Sequence, residues 1–202
     1  MDLPQPYAGV SILREEGGIL HVEKIGYRPK EFMGTEEILS LYQKCGTPEK
    51  VIRHMQAAAD MVKALLDRLD PENTGYDRGL LVNAALVHDI ARTQKNHAEA
   101  GADILRAEGF EEASVLVRAH HSPVCSKSEK LSMEEILFYA DKRVMEDRTV
   151  SVEERFRESR KKCNSQEALE KHRRLYEKTI YIERKIKRQE EELKNVPADM
   201  VK

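Results

Sequence analysis

Between Thr47 and Asp70 the apolar residues Val51, Met55, Ala58, Val62, Leu65 and Leu69 recur three or four apart, the spacing of one buried face on an α-helix. Thr47-Pro48-Glu49 predicts the start, a capping hydroxyl followed by proline at the first helical position. Asp70-Pro71 predicts the end, because the residue before proline is pushed out of helical geometry. His54 lies beside the apolar stripe and is expected to point inward. The next run, 78–91, is almost wholly apolar from 80 to 87 and predicts a central helix whose last turn carries His88 and Asp89. Asn96 predicts the cap of a helix from His97 to Gly109. Residues 111–121 follow as a short helix stopped by Pro123, and Ser132 with Glu135 makes a capping box for a helix that runs to Asp141.

Both ends of the chain depart from this pattern. In residues 1–34, two short apolar runs (10–13 and 19–25) flank Glu15-Glu16-Gly17-Gly18, a β-hairpin signal with glycine available for a positive φ. Beyond Asp147 charge dominates. There Ala168, His172, Leu175, Thr179, Ile182, Ile186, Gln189 and Leu193 keep a heptad-like spacing that is only half apolar. Such a seam predicts a helix that docks on the domain, with pairing in a homodimer as the alternative. Arg184, Lys185, Lys187 and Arg188, set among glutamates, read as a solvated face. The expected fold class is all-α, with an N-terminal hairpin-like extension (1–34), a core domain (35–150) and a charged C-terminal helical extension (151–202).

Composition narrows the function. At 202 residues the chain has room for one catalytic domain plus an appendage. No run approaches the roughly 18 apolar residues that span a membrane. The start MDLPQPY lacks the basic-then-apolar layout of a signal peptide, so a cytoplasmic protein is expected. A formal net charge of −2 supplies no global field for nucleic acid. Cys45, Cys125 and Cys163 are odd in number and far apart, which fits reduced thiols without a disulfide frame or a zinc knuckle.

The chemistry sits at the helix ends. His88-Asp89 places an imidazole beside a carboxylate where a buried helix stops, and His54, His97, His120, His121 and Asp141 stand in neighbouring helical segments. Imidazoles with carboxylates suit Mn²⁺, Fe²⁺, Co²⁺ or Zn²⁺. His54, His88, Asp89 and Asp141 can supply one octahedral ion with two places left for water. His97 and His120 can supply a second, with Asp89 as the bridge. His121 joins them where the helix ends at it, which Pro123 favours. Two such ions activate a water and stabilise both oxygens of a phosphoryl displacement.

The order His54, His88-Asp89, His97, His120-His121, Asp141 resembles the HD-domain metal-dependent phosphohydrolases, with Ala91-Arg92 where many members have Gly-Lys. The likeness covers roughly residues 45–150 and includes the texture of Ala84-Ala85-Leu86-Val87-His88-Asp89-Ile90, His97-Ala98-Glu99-Ala100-Gly101-Ala102, Val117-Arg118-Ala119-His120-His121 and Tyr139-Ala140-Asp141-Lys142. It is nearest to the small bacterial branch with symmetrical diadenosine tetraphosphatases and to HD domains fused to molybdenum-cofactor nucleotidyltransferases. In the fused proteins a segment like Val150-Ser151-Val152-Glu153-Glu154-Arg155-Phe156 also follows. The resemblance implies an HD-domain helical bundle in which His54, His88, Asp89, His97, His120, His121 and Asp141 hold one or two transition-metal ions. It further implies that Arg92 contacts a substrate phosphate, joined by Arg118 and Lys142. The expected activity is hydrolysis of a phosphoester or phosphoanhydride of a nucleotide-type small molecule by a metal-activated hydroxide. Two alternatives stay open: a mixed-valence diiron oxygenase and a non-catalytic metal- or nucleotide-binding regulatory module.

Overall fold

The computed structural model describes residues 11–16, 19–24, 33–126, 128 and 130–195. Strands β1 (Ser11–Glu16) and β2 (Ile19–Lys24) pair antiparallel, Glu16 opposite Ile19 and Ser11 opposite Lys24, as the Gly17-Gly18 signal predicts. The rest of the expected N-terminal extension lies outside the described residues, apart from Met33 and Gly34. The body is helical: α1 (Thr35–Cys45), α2 (Glu49–Leu69), α3 (Arg78–Val87), α4 (His97–Ala107), α5 (Glu111–Ala119) and α6 (Met133–Lys142), then α7 (Val152–Arg160) and α8 (Gln166–Lys194). The fold is all-α apart from the N-terminal hairpin and a two-residue pair, β3 (Val144–Met145) with β4 (Arg148–Thr149). No described helix is long and apolar enough to cross a membrane.

The core forms where the periodic faces meet. Met55, Val62, Leu65 and Leu66 of α2 are fully buried against Leu81, Ala84 and Ala85 of α3 and Ile136 and Leu137 of α6. α3 is wrapped on nearly all sides because its run from 80 to 87 has no polar face to offer water, except that Asn83 donates to the Met33 carbonyl at 2.9 Å. α1 ends at Gly46, whose positive φ of 59° suits a residue without Cβ. It is fastened to α3 by Tyr42, whose hydroxyl donates to the Leu86 carbonyl at 2.6 Å. α2 stops at Leu69, as the following Asp70-Pro71 requires.

Several local expectations shift. Thr47 does not cap α2; its hydroxyl donates to the Ile90 carbonyl at 2.9 Å and ties the start of α2 to the turn after α3. α3 ends at Val87, so His88 and Asp89 stand in the turn beyond it, free of helical side-chain geometry. Asn96 precedes α4 with φ of 57° and makes no side-chain cap. α5 ends at Ala119, which leaves His120 and His121 on successive turn residues. The capping box forms as read: Ser132 Oγ accepts from Glu135 N–H, and Glu135 Oε2 accepts from Ser132 N–H at 2.9 Å.

The charged C-terminal helix docks. Thr179, Ile182 and Ile186 of its half-apolar seam are buried against the bundle, and Gln189 donates to the Leu69 carbonyl at 3.3 Å. Lys185, expected on a solvated face, is buried. Its ammonium donates to both oxygens of Glu135, at 2.9 and 2.8 Å, and joins α8 to the first turn of α6.

Candidate metal centre

One end of the bundle gathers chain ends. The C-terminal turns of α3, α5 and α6 and the first residue of α4 converge on His54, which projects from the second turn of α2. This brings His88 and Asp89, His120 and His121, Asp141 and His97 together across up to 87 residues of sequence. Asp89 Oδ1 lies 3.1 Å from His97 Nε2 and 3.5 Å from His120 Nε2. Asp141 Oδ1 lies 2.9 Å from His54 Nε2 and 3.7 Å from His88 Nε2. His121 Nε2 meets His97 Nε2 at 2.5 Å. Within the cluster two sets of atoms, Asp89 with His97, His120 and His121, and Asp89 with His54 and His88, each lie close enough to share one ion. Asp89 belongs to both.

The imidazoles are pre-aimed. His54, His88 and His120 each turn Nδ1 to a backbone carbonyl: Glu146 at 2.9 Å, Ala85 at 2.8 Å and Val117 at 2.6 Å. A carbonyl only accepts, so Nδ1 carries the proton and, in the neutral ring, Nε2 presents a lone pair to the centre; at His54 that Nε2 also lies 2.9 Å from Asp141 Oδ1. That is the arrangement in which a backbone acceptor fixes the tautomer and orientation of a metal-binding histidine. Two of these lone pairs have no other use. His88 Nε2, His120 Nε2 and Asp89 Oδ1 are buried and lack any hydrogen-bond partner among the described residues. An unsatisfied buried polar atom costs roughly 1–3 kcal/mol, so three left over within one cluster call for a ligand from outside, and a cation is the partner that lone pairs and a carboxylate oxygen share. The donor set therefore fits a divalent metal.

Charge supports the same conclusion. Burial raises the pKa of Asp89, but His120, His88 and Arg92 outweigh it and hold the carboxyl well below the usual range. Asp141 is likewise driven down, burial being overcome by Lys142, His54 and His88. The His121 pKa is pushed down to about 3 by burial, with His120, Lys142 and His97 adding to it. His97 is lowered by burial first, against the pull of Asp89 and with Arg92 repelling its proton. The ionised carboxylates of Asp89 and Asp141 therefore face neutral imidazoles at His97 and His121.

A cavity of about 690 Å³ opens onto the centre, and His54, Asp89, His121 and Asp141 form part of its wall. Of the cations read from sequence, Arg92 and Lys142 line it. Arg92 Nη1 stands 2.8 Å from His97 Nε2 and 3.6 Å from Asp89 Oδ1, and Lys142 binds Asp141 Oδ2. Arg118 is turned elsewhere: it pairs with Glu99 and, at 2.8 Å, with Asp103, and it is not part of the cavity wall. Sequence reasoning missed Lys50, Arg53, Arg155 and Lys162, all of which line the cavity. The one available hint was Arg155 within the Val150–Phe156 segment. The Glu146 carbonyl that orients His54 was also missed, since it depends on the short β3–β4 turn, where Glu146 takes φ of 59°.

A helical bundle whose buried end collects histidines and aspartates in this order defines a candidate metal-binding domain. Residues 51–196 match the HD domain family, and the chain belongs to it. Among curated proteins it is similar to two named tRNA (cytidine(56)-2'-O)-methyltransferase. The one from Thermoplasma volcanium is 32% identical over 108 residues, which is 52% of this chain and 30% of that protein. The one from Picrophilus torridus is 26% identical over 151 residues, 66% of this chain and 42% of that protein. The chain thus spans less than half the length of these relatives. No solved structure matches it significantly.

Proposed function

We propose that the chain is a metal-dependent phosphohydrolase acting on a nucleotide-type small molecule. The observation that carries this reading is the set of buried ligand atoms His88 Nε2, Asp89 Oδ1 and His120 Nε2, without a partner among the described residues, of which Asp89 reaches the wall of a cavity that Arg92 and Lys142 also line. His54, His88, Asp89 and Asp141 would hold one ion and His97, His120 and His121 a second, with Asp89 between them. Manganese, iron, cobalt and zinc all suit such ligands. A bound dication supplies water activation and neutralises charge on a phosphoryl oxygen.

The protein's own groups do the rest. Arg92, half exposed at the mouth, presents a planar fork to two phosphoryl oxygens once it leaves His97. Lys142 holds Asp141 ionised and oriented. His54 is fixed by the Glu146 carbonyl, so its Nε2 keeps one direction throughout a reaction. The methyl transfer for which the two relatives are named does not extend to this chain, because each match covers a minor share of the relative's length.

Phosphate release from nucleotides, dinucleoside polyphosphates and cyclic nucleotides is the test, with Mn²⁺ or Co²⁺ loaded. Turnover lost in His88→Ala is expected. Dioxygen consumption by the iron-loaded protein without phosphate release would replace this reading with an oxygenase. Tight nucleotide binding without either reaction would replace it with a regulatory module. Full activity in both His97→Ala and His120→Ala would reduce the site to one ion.

A further inference from the structure

We infer that Arg155 and Lys162, with Lys50, form a second phosphate subsite in the same cavity, so that the ligand is an oligophosphate carrying at least two phosphates in one small molecule. This rests on the phosphohydrolase reading for which phosphate lies at the metal centre, but the subsite itself is argued from different residues.

The cavity's cations divide into two groups. Arg92 and Lys142 are already engaged with the carboxylates and imidazoles of the centre, and Arg53 is paired with Glu49 at 2.7 Å and Asp147 at 3.3 Å. Lys50, Arg155 and Lys162 line the cavity too, yet none has an ion-pair partner among the described residues. Of the lining carboxylates, Asp89 and Asp141 belong to the centre and Asp147 is taken by Arg53, which leaves only Glu146 against three free cations. A single phosphate at the centre would leave that excess unmatched.

Placement favours a second phosphate on one molecule. Lys50 and His54 are four residues apart on α2, hence on one face and about one turn from each other, roughly 5–6 Å between Cβ atoms. Arg155 is half buried and held in place by its own helix: Val152 and Phe156 of α7 are sunk in the core, and Arg155 shares the Val152 side at three residues' spacing. Lys162 follows in the turn that closes α7, its N–H donating to the Ser159 carbonyl at 3.1 Å. A guanidinium fixed at its stem loses little freedom on binding and offers the fork that phosphate accepts.

Size and surroundings favour a small oligophosphate over a nucleic-acid strand. The cavity is within the roughly 300–1,000 Å³ of small-molecule sites. A strand would need basic charge that continues beyond it, whereas on α8 the exposed Arg173, Arg174 and Lys187 are cancelled by Glu170, Glu177 and Glu183 within one turn.

The test measures binding without turnover. Methylenediphosphonate, whose bridge cannot be hydrolysed, and orthophosphate are titrated calorimetrically into the metal-loaded full chain and into Arg155→Ala/Lys162→Ala. The expected result is that the variant weakens methylenediphosphonate by about tenfold or more, one charge-assisted contact or better, and orthophosphate by less than about twofold. Arg155→Lys should recover part of the loss, and thermal midpoints should match, since neither Arg155 nor Lys162 has an ion-pair partner among the described residues. Equal weakening of both ligands, no weakening of either, or no binding of methylenediphosphonate would overturn the subsite. A short single-stranded RNA that binds more tightly and depends on the same two residues would overturn the choice of a small ligand. If selective binding survives but no phosphate is ever released from any substrate, the hydrolase reading fails and the subsite stands.

Discussion

Two buried polar clusters sit in this bundle, and they differ in whether they are complete. Glu135 and Lys185 close on each other: the ammonium reaches both carboxylate oxygens and also faces the Lys130 and Ser126 carbonyls, while Glu135 caps Ser132 as well. The His/Asp centre gives backbone acceptors to the Nδ1 atoms of His54, His88 and His120 and leaves His88 Nε2, His120 Nε2 and Asp89 Oδ1 without a partner among the described residues. Burial alone therefore does not mark a functional site. A cluster that completes itself fastens α8 to α6, and a cluster with donors left over needs something from outside.

The largest test removes the shared ligand. Asp89→Ala is expected to abolish metal retention and to reduce phosphate release by about four orders of magnitude, about 5 kcal/mol of transition-state stabilisation; an active, metal-loaded Asp89→Ala would break the contrast at once. Lys185→Met comes next. It leaves Glu135 buried without its cation and should cost about 3–5 kcal/mol of stability in denaturant titrations, with metal content unchanged. The companion Lys185→Met/Glu135→Leu should recover much of that loss, short of roughly 1 kcal/mol for the missing cap.

A smaller effect has a pH signature. At a metal concentration 100 times its dissociation constant, binding to the folded chain alone adds about 2.7 kcal/mol, seen as a rise in thermal midpoint. His88 competes with the metal through its proton: burial lowers its pKa from the ordinary 6.5, but Asp141 and Asp89 outweigh burial and raise it. In the metal-free protein this raised value adds stability below about pH 6.5 that is lost as pH climbs through it. Metal binding runs the other way, because the proton must leave first. The midpoint shift caused by Mn²⁺ should therefore grow from pH 6 to pH 8. A shift that shrinks over that range would contradict the ligand role of His88. The smallest effect is Tyr42→Phe, about 1 kcal/mol for one hydrogen bond to Leu86, with no change at the metal centre.

Much of this was legible in the chain because helix ends write themselves into sequence. The apolar run from 80 to 87 followed by His88-Asp89, the capping box before α6 and Pro71 after α2 marked the helix ends near which the chemistry-bearing residues fall, although His88 and Asp89 stand one step beyond α3 and not in its last turn. The heptad-like seam of α8 likewise marked the face that docks. What was hidden depends on partners far away in sequence. Lys185 looks like one more exposed base until α8 is laid over Glu135, 50 residues earlier. Thr47 looks like a cap until the Ile90 carbonyl stands beside it. Lys50, Arg155 and Lys162 belong to no local pattern at all; only the cavity unites them.

The central claim is that the leftover donors hold a metal. The most direct test is elemental analysis by inductively coupled plasma mass spectrometry of the protein and of His88→Ala, each dialysed to equilibrium after loading with Mn²⁺, Fe²⁺, Co²⁺ or Zn²⁺. The account predicts one to two equivalents of at least one metal in the native chain and a clear loss in His88→Ala. A native chain that retains none of the four, or a variant that retains as much as the native chain, would contradict it.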